Sequence, residues 1–287
     1  MQFQIIGSGG AVATPKPGCH CAVCDEAREK GVPYARGGPA TFLHGANVFF
    51  DTPEDIREGL NRCGIERVEA CFYSHWHPDH VMGRRIFEAL NWDVRTWPYG
   101  VQTTDVYLPE QVAIDVDQRL GTGEHLAYME SIGIVRIHRL RDGDTVRIGD
   151  ARITPFRLAE DYVYAFVIEA GDVRALLAPD ELHGWTPPGS LRGLDLAILP
   201  MGMCEHDPFT GERRMQEDHP LLQVEATFAQ TLDIVATLGA QETVLTHIEE
   251  PDGFGHDDLT RLAAKLQGEG LPIRFAHDGM RINVDPH

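Results

Sequence analysis

Short apolar runs alternate along the chain with longer segments in which apolar residues recur at helical spacing. The runs are rich in β-branched and aromatic residues, which is typical of strands, and several are apolar throughout, as in buried strands. This alternation predicts the α/β class, with sheets and helices in layers. The runs cover residues 3–6, 48–50, 68–73, 106–108, 153–156, 162–168, 175–177, 196–199 and 243–245, and helices are indicated at 53–64, 84–90, 220–238 and 257–266.

One stretch shows no period. Residues 11–45, which follow the Gly-rich end of the first run, are rich in Gly, Pro, Cys and His. We expect a long ordered loop there, and a loop of that length needs either a function or a staple, because it has no backbone pairing of its own. No linker or repeat divides the rest of the chain, so residues 1–287 are expected to form a single domain.

The overall charge is strongly acidic. The chain of 287 residues carries a formal net charge of -19 at pH 7, and such a field repels polyanions, so nucleic acid is not expected as a partner. No segment approaches about 18 uncharged apolar residues, and the N-terminus has no basic region followed by an apolar one. We therefore expect no membrane span and a cytoplasmic location, while the oligomeric state stays open, with a homodimer among the options.

The strongest chemical signal follows the run at 68–73 and precedes a helical segment. Imidazole and carboxylate ligands suit zinc, manganese or iron, and side chains on one tight turn can face two ions a few ångströms apart. The turn predicts a site for two divalent metal ions, zinc or manganese, with its three histidines and its aspartate as ligands. It reads Ser74-His75-Trp76-His77-Pro78-Asp79-His80.

This pattern, His-x-His-x-Asp-His after a strand, resembles the signature of the metallo-β-lactamase superfamily. The resemblance implies an αββα sandwich, with two mixed sheets flanked by helices and with the metals at one edge. It places His75 and His77 on the first metal, and Asp79 and His80 on the second.

Three more acids and histidines match superfamily positions. Asp180 follows the run at 175–177, where the superfamily carries the carboxylate that bridges both metals. His247 follows the run at 243–245, where it carries the last histidine of the second metal. Asp51, after the run at 48–50, matches an acid that orients ligand histidines through hydrogen bonds.

The superfamily pattern is broken at one ligand. A histidine is usual after the strand that corresponds to residues 153–156, but this chain has acids there instead. Glu160 is the best substitute and Asp161 the second, because a carboxylate oxygen can take the vacant position. The alternative is that both acids are solvated loop residues and that the chain holds one tight metal.

Three cysteines crowd into the loop at 11–45. Cys19, Cys21 and Cys24 are too closely spaced for a typical disulfide framework, and their spacing suits thiolates that converge on a metal. The cysteine loop resembles that of the phosphodiesterases of the carbon-phosphorus lyase pathway and, more loosely, that of the pyrroloquinoline-quinone accessory proteins. In the phosphodiesterases it binds a structural zinc away from the catalytic site, so one structural zinc is expected here.

The fourth ligand of this zinc departs from the relatives. They have a histidine at a position that is Glu250 in this chain. Glu250 is the candidate that we carry forward, with His20 and His256 as alternatives.

The resemblance also suggests how the catalytic residues divide the work. In two-metal hydrolases a metal-bound hydroxide attacks the substrate. Asp79 and Asp180 are the catalytic candidates at the metals, and His219 occupies the position of a general acid in the phosphodiesterases. His206 and Arg213 are candidates for binding a small anionic substrate, since a guanidinium group pairs well with phosphate oxygens.

The expected function is a metal-dependent hydrolase, and most specifically a phosphodiesterase that acts on a small, cyclic phosphodiester. One alternative is hydrolysis of a lactone or thioester, because the metal chemistry does not select phosphorus over carbon. Another is an accessory protein that binds a metal or metabolite and has lost hydrolysis. The altered ligand at Glu160 favours that last alternative, whereas the intact histidine turn argues against it.

Overall fold

Two seven-stranded mixed sheets form the centre of the structure, a computed structural model that describes residues 1–285. The strands are β1 (Gln2–Gly7), β2 (Ala40–Leu43), β3 (Val48–Phe50), β4 (Ala70–Phe72), β5 (Trp92–Asp93), β6 (Gly100–Val101), β7 (Thr104–Pro109), β8 (Val135–Leu140), β9 (Val146–Ile148), β10 (Ala151–Arg157), β11 (Tyr164–Ala170), β12 (Val173–Leu177), β13 (Leu196–Pro200), β14 (Glu242–Thr246), β15 (Ile273–Phe275) and β16 (Arg281–Asn283). The first sheet has the order β16-β1-β2-β3-β4-β7-β8, and the second has the order β15-β14-β13-β12-β11-β10-β9. A small hairpin, β5-β6, stands apart.

Helices cover the outer face of each sheet. Apolar residues of β3, β4 and β7 pack with those of α2, α4, α5 and α6, whereas α7 and α8 pack on the second sheet. None of the helices within residues 1–285 has the length and apolar content that crossing a bilayer requires. The helices are α1 (Ala22–Lys30), α2 (Ile56–Cys63), α3 (Pro78–Val81), α4 (Ile86–Asn91), α5 (Glu110–Leu120), α6 (Gly123–Ser131), α7 (Phe228–Leu238) and α8 (His256–Gly268).

Aromatic side chains join the two sheets. Phe50 of β3 and Phe72 of β4 are register partners and stack with ring centroids 5.8 Å apart. Phe166 of β11, in the opposite sheet, lies 5.1 Å from Phe50 and 5.7 Å from Phe72. All three are buried. Because each ring removes a large apolar area from water, this cluster ties the faces of the sandwich together.

The strands that carry the predicted ligands are parallel within each sheet. β3 pairs with β4, and β12, β13 and β14 pair in turn, all in parallel. Their carboxyl ends therefore emerge on one side of each sheet. In open α/β sheets such ends are where ligands bind.

The predicted class and layer architecture are confirmed, and each of the nine apolar runs overlaps a strand. Two predictions about individual elements were wrong. Residues 11–45 are not an irregular loop throughout, since they contain α1 and β2; α1 is short, and its N-cap is the thiol of Cys21, which accepts the Cys24 N–H. The helix expected at 220–238 begins only at Phe228, where Thr227 and Gln230 form a capping box.

Replacing Phe166 with Ala should reveal the strength of the contact between the sheets. The substitution leaves a cavity among Phe50 and Phe72, and we expect it to lower the free energy of unfolding by about 3–5 kcal/mol. Urea denaturation of both proteins measures the difference. The matched control is Ile114→Ala on α5, where the side chain is exposed and the expected change is below about 1 kcal/mol. Equal effects of the two substitutions would contradict the assignment of the core.

Candidate functional site

The histidine turn lies at the carboxyl end of β4. The strand is fully buried, and the chain then turns into α3, which begins at Pro78, a residue suited to the first helical position because its missing N–H needs no partner there. His75 and His80 are completely buried. Their rings lie 4.1 Å apart, centroid to centroid, and His77 lies 4.5 Å from His75. The turn thus gathers its three imidazoles into one cluster.

Asp51 holds this turn from the end of the neighbouring strand, β3. Its carboxylate accepts the Ser74 N–H at 2.8 Å and the Ser74 hydroxyl at 2.7 Å. It also accepts a hydrogen bond from His80 Nδ1 at 2.8 Å. This contact leaves His80 Nε2 facing the cluster, which is the arrangement expected of an acid that orients a ligand histidine.

The second sheet contributes Asp180, after β12, and His247, after β14. Asp180 Oδ2 lies 3.5 Å from His75 Nε2 and 3.7 Å from His80 Nε2. His247 Nε2 lies 3.6 Å from both Asp180 Oδ1 and Asp79 Oδ2. Asp180 therefore sits between the histidines of the two sheets.

These side chains form two adjacent groups of three that could each hold a metal ion. In each group the ligand atoms lie within 4.8 Å of one another. His75, His77 and Asp180 form the first group, and Asp79, His80 and His247 form the second.

Four ligand atoms of these groups are buried and make no hydrogen bond of acceptable geometry, although Asp79 Oδ2 lies 3.2 Å from His80 Nε2. Unsatisfied polar atoms in protein interiors are rare and costly, so each calls for an explanation. Imidazole nitrogens and a carboxylate oxygen are donors that a divalent transition-metal ion accepts. The residues present therefore fit such ions. The atoms are His75 Nε2, Asp79 Oδ2, His80 Nε2 and His247 Nε2.

Burial and neighbouring charges give the histidines different protonation tendencies. Burial lowers the pKa of His75 well below its usual value and also lowers that of His77, which keeps both rings neutral, as metal ligands must be. Burial opposes the charge of His80 as well, but Asp79 and Asp51 outweigh it and raise the pKa of His80 to about 10. The acids around His80 thus already supply the field that a bound cation would experience.

Glu249 is a site residue that the sequence analysis missed. Its carboxylate lies 3.3 Å from His247 Nδ1 and accepts the Ala11 N–H at 2.9 Å. Burial raises the pKa of Glu249, but His247 more than offsets this, and the net shift is downward. Glu249 is therefore placed to do for His247 what Asp51 does for His80.

Backbone conformation also marks the site. Asp51, Glu181 and His247 have positive φ angles of 63°, 45° and 51°, a backbone region that residues other than glycine rarely adopt. Such strained positions concentrate at functional sites. A clue to Glu181 and Glu249 existed in the sequence, because each stands within two residues of a predicted ligand.

The cysteines form a third group, away from the histidines. The Sγ atoms of Cys19, Cys21 and Cys24 lie 3.3, 3.2 and 3.1 Å from one oxygen of Glu250. Burial and the Glu250 carboxylate raise the pKa of the Cys24 thiol to about 12. Three sulfurs and one carboxylate oxygen make a donor set of the size and type that a zinc ion accepts. His20 and His256 do not belong to this group.

A cavity of about 290 Å³ adjoins the histidine cluster. His77, Asp79, Asp180 and His247 form one of its walls. The other lining residues are Ala11, Val12, Glu181, Leu182, Pro200, Gly202, Met203, Leu221, Glu225, Ala226, Glu249, Pro251 and Asp252.

Two carboxyl groups meet in this cavity. Glu181, next to Asp180, and Glu225, just before α7, both line the cavity, and each acts on the pKa of the other. Burial, then the neighbouring Glu225, raise the pKa of Glu181 to about 9. Burial also raises the pKa of Glu225. The pair therefore retains a proton at neutral pH.

Glu160, the expected substitute ligand, belongs to none of the ligand groups found within residues 1–285. Its carbonyl accepts the Val163 N–H at 3.3 Å. Tyr162, two residues later, is the side chain of this segment that lies beside the cluster. Its ring centroid is 5.8 Å from that of His77 and 6.5 Å from that of His75. Burial and Glu160 raise the pKa of Tyr162 to about 12, so the phenol stays protonated.

The other predicted substrate-site residues lie outside the cavity wall. His219 caps a short 3-10 turn, where its Nδ1 accepts the Leu221 N–H at 3.3 Å. Arg213 pairs with Glu205 at 2.8 Å, and His206 faces the same glutamate at 3.9 Å. The roles of all three remain predictions.

A family model described as the beta-lactamase superfamily domain matches residues 46–248. The matched range contains the histidine turn, Asp180 and His247. Among curated proteins, an octanoyltransferase of Porphyromonas gingivalis (strain ATCC BAA-308 / W83) is 21% identical over 300 residues. That match covers 100% of this chain and 54% of the relative, so the chain spans about half the length of the curated protein it matches.

Two solved structures share the fold over nearly the whole chain. A diphosphatase from the PhnP family is 24% identical, with a TM-score of 0.70, over 99% of this chain and 98% of that one. The Zn(2+)-bound PqqB of Methylobacterium extorquens is 15% identical, also with a TM-score of 0.70, over 99% of this chain and 100% of that one.

Asp51→Asn should weaken metal binding. Both carboxylate oxygens of Asp51 accept, Oδ1 from the Ser74 N–H and Oδ2 from the Ser74 hydroxyl and His80 Nδ1, but an amide has only one acceptor oxygen. We therefore expect the affinity of the histidine cluster for zinc to fall about 10- to 100-fold. Competition with a chromophoric chelator measures it. Asp105→Asn, at an exposed pair with Arg136, is the control and should leave the affinity unchanged. An unaltered affinity in Asp51→Asn would contradict the orienting role.

If the cysteine group holds a zinc ion, Cys21→Ser should remove it. We expect the zinc content to fall by about one ion per chain and the thermal midpoint to drop, because a structural zinc contributes to folding. Elemental analysis and scanning calorimetry give the two readouts. Cys63→Ser is the matched control, since Cys63 lies outside the group. An unchanged zinc content in Cys21→Ser would contradict the assignment of the cysteine group as a zinc site.

Proposed function

Since the chain belongs to the β-lactamase superfamily, we propose that it is a metal-dependent hydrolase and, more specifically, a phosphodiesterase that acts on a small phosphodiester such as a cyclic one. The observation that carries the proposal is the set of buried ligand atoms without hydrogen bonds at which the two sheets meet. An interior that leaves such atoms without partners is best explained by cations that bind them.

The residues assigned to the metals fall into two groups with Asp180 between them. His75 and His77 would hold one ion, and Asp79, His80 and His247 the other, with the Asp180 carboxylate shared. When bound there, a pair of divalent cations lowers the pKa of water and neutralises charge on the reacting oxygens. Asp79 and Asp180 are thus the carboxylate ligands through which the protein would hold the catalytic metal ions.

The first group is the weaker of the two in this proposal. With Asp180 shared, it has three protein ligands against four for the second group, and Tyr162 rather than Glu160 lies beside His77. Fewer anionic donors mean a lower affinity for a hard cation. Zinc or manganese would therefore leave this position first when metal is limiting.

His219 is the proposed proton donor for the leaving alkoxide. It would donate from Nε2 as the imidazolium. Its Nδ1 accepts the Leu221 N–H in this structure, so protonation of the ring would release that contact. Leu221 itself lines the cavity, so His219 is two residues from the cavity wall.

Two considerations favour a phosphodiester over other substrates. The cysteine group and His219 match the pattern of the phosphodiesterases that the sequence resembles. One protein that shares the fold is a diphosphatase, which acts at phosphorus. His206 and Arg213, the proposed contacts to the anionic substrate, lie together on one β-bridge.

Hydrolysis of a lactone or thioester is the second candidate. It is favoured by the apolar residues of the cavity, among them Leu182, Met203 and Leu221. The same metal centre polarises a carbonyl as well as a phosphoryl oxygen.

His77→Ala and Asp180→Ala test the proposal. Protein purified without chelator, and protein reconstituted with zinc or manganese, should hydrolyse bis(p-nitrophenyl) phosphate. Each variant should lower kcat/KM about 100-fold or more, because each removes a metal ligand. Metal content is measured on the same samples.

His138→Ala is the control. His138 is not a member of the histidine cluster, and its Nε2 pairs with Asp105 at a distance of 2.7 Å. Turnover that survives in both variants would exclude the two-metal mechanism. Lactone or thioester hydrolysis without diester hydrolysis would favour the second candidate, and about one metal per chain with no turnover would favour an accessory binding protein.

A further inference from the structure

The cavity beside the histidine cluster has a distinctive charge. Four of its acids, Glu181, Glu225, Glu249 and Asp252, belong to neither ligand group, and no Lys or Arg is among the described residues that line it. Between the acids the wall is apolar, with Leu182, Pro200, Met203 and Ala226 among its members. Any part of a substrate that extends from the reacting centre enters an apolar, negatively charged space.

The four acids are not equally available to a ligand. Glu249 already forms an ion pair with His247 and accepts the Ala11 N–H. Glu181 accepts the His183 N–H at 2.5 Å, and Glu225 is half-buried at the same cavity. The His183 contact fixes the position of the Glu181 carboxyl group before a ligand arrives.

Asp252 provides an independent indication of a ligand. The residue is 6% exposed and lines the cavity. Its Oδ1 accepts the Cys204 N–H at 3.0 Å, but its Oδ2 is buried and has no hydrogen-bond partner. Arg214 acts on this carboxylate electrostatically and is not part of the cavity wall. A buried acceptor without a donor is costly, so a donor from a ligand would stabilise it.

Such a wall discriminates strongly by charge. A second phosphate or a carboxylate on the substrate would be buried near like charges, whereas an ammonium or hydroxyl group would give the acids a donor. Sites with fixed buried acceptors reject ligands that cannot donate to them. The alkyl part of the ligand would contact the apolar residues.

We propose that this cavity binds the non-reacting part of the substrate, and that Glu225, with Glu181 and Asp252, selects an alkyl group bearing an ammonium or other donor and excludes a second anionic group. The inference rests on the proposed phosphodiesterase function and names the substrate class: a phosphodiester with a single negative charge, one of whose ester groups is cationic or hydroxylated. Glu225 is the specificity-determining residue that is farthest in sequence from the metal ligands.

Three diesters with the same p-nitrophenolate leaving group test the proposal on metal-reconstituted protein. The second ester group is 2-ammonioethyl, its neutral isostere propyl, or the anionic 2-carboxyethyl. We expect kcat/KM to fall in that order, with the cation favoured over the anion by about tenfold or more. Equal values for the three, or a preference for the anion, would overturn the inference.

Glu225→Gln keeps the shape of the side chain and removes its charge. It should reduce the ratio of kcat/KM between the cationic and anionic diesters by about tenfold. Glu66→Gln is the matched control, because Glu66 is exposed and lies outside the cavity wall. A ratio that is unchanged in Glu225→Gln would also overturn the proposal, and the diester series on the unmodified protein tests it even if that variant does not fold.

Binding separates this inference from the proposed function. Calorimetry with O-phosphoethanolamine and with propyl phosphate measures the same preference without turnover. If no diester is hydrolysed but O-phosphoethanolamine binds at least about tenfold more tightly, the phosphodiesterase proposal fails and the selection stands. If diesters are hydrolysed but O-phosphoethanolamine has no advantage, the selection fails alone.

Discussion

The parallel pairing of strands within each half of the sandwich is the constraint on which the site depends. Parallel strands present their carboxyl ends on the same side, and the two sheets are held face to face by buried aromatic rings. As a result Asp51 and the histidine turn, which follow β3 and β4, meet Asp180 and His247, which follow β12 and β14. Residues far apart in the sequence become neighbours only because both sheets share this edge.

The price of that convergence is a dense set of buried ionisable groups. His75 and His80 are fully enclosed, and Asp79 and Asp180 nearly so. Carboxylates beside the histidines offset part of the free-energy cost of burying them, but four ligand atoms still lack hydrogen-bond partners. An interior of this kind is stable only when its charges are paired, and the pairing that the geometry accommodates is with cations.

The fold and the first ligands could be predicted because they follow from local sequence. Apolar runs marked the strands, and His75, His77, Asp79 and His80 stand within six residues of one another. Residues whose position depends on tertiary structure could not be found in this way. Glu225 meets Glu181 only after α7 has packed on the second sheet, and α1 was missed because a thiol rather than a hydroxyl or carboxylate caps it.

The segment from His247 to Glu250 belongs to two binding groups at once. His247 faces the histidine cluster, Glu250 faces the cysteines, and between them Ile248 and Glu249 are bound to Ser8 and Ala11 of the first loop. Four consecutive residues with these anchors cannot move independently. The two groups are therefore joined through the backbone of this one segment as well as through the packing of the sheets. Because linkage is reciprocal, whatever effect an ion at one group has on affinity at the other must be equal in both directions.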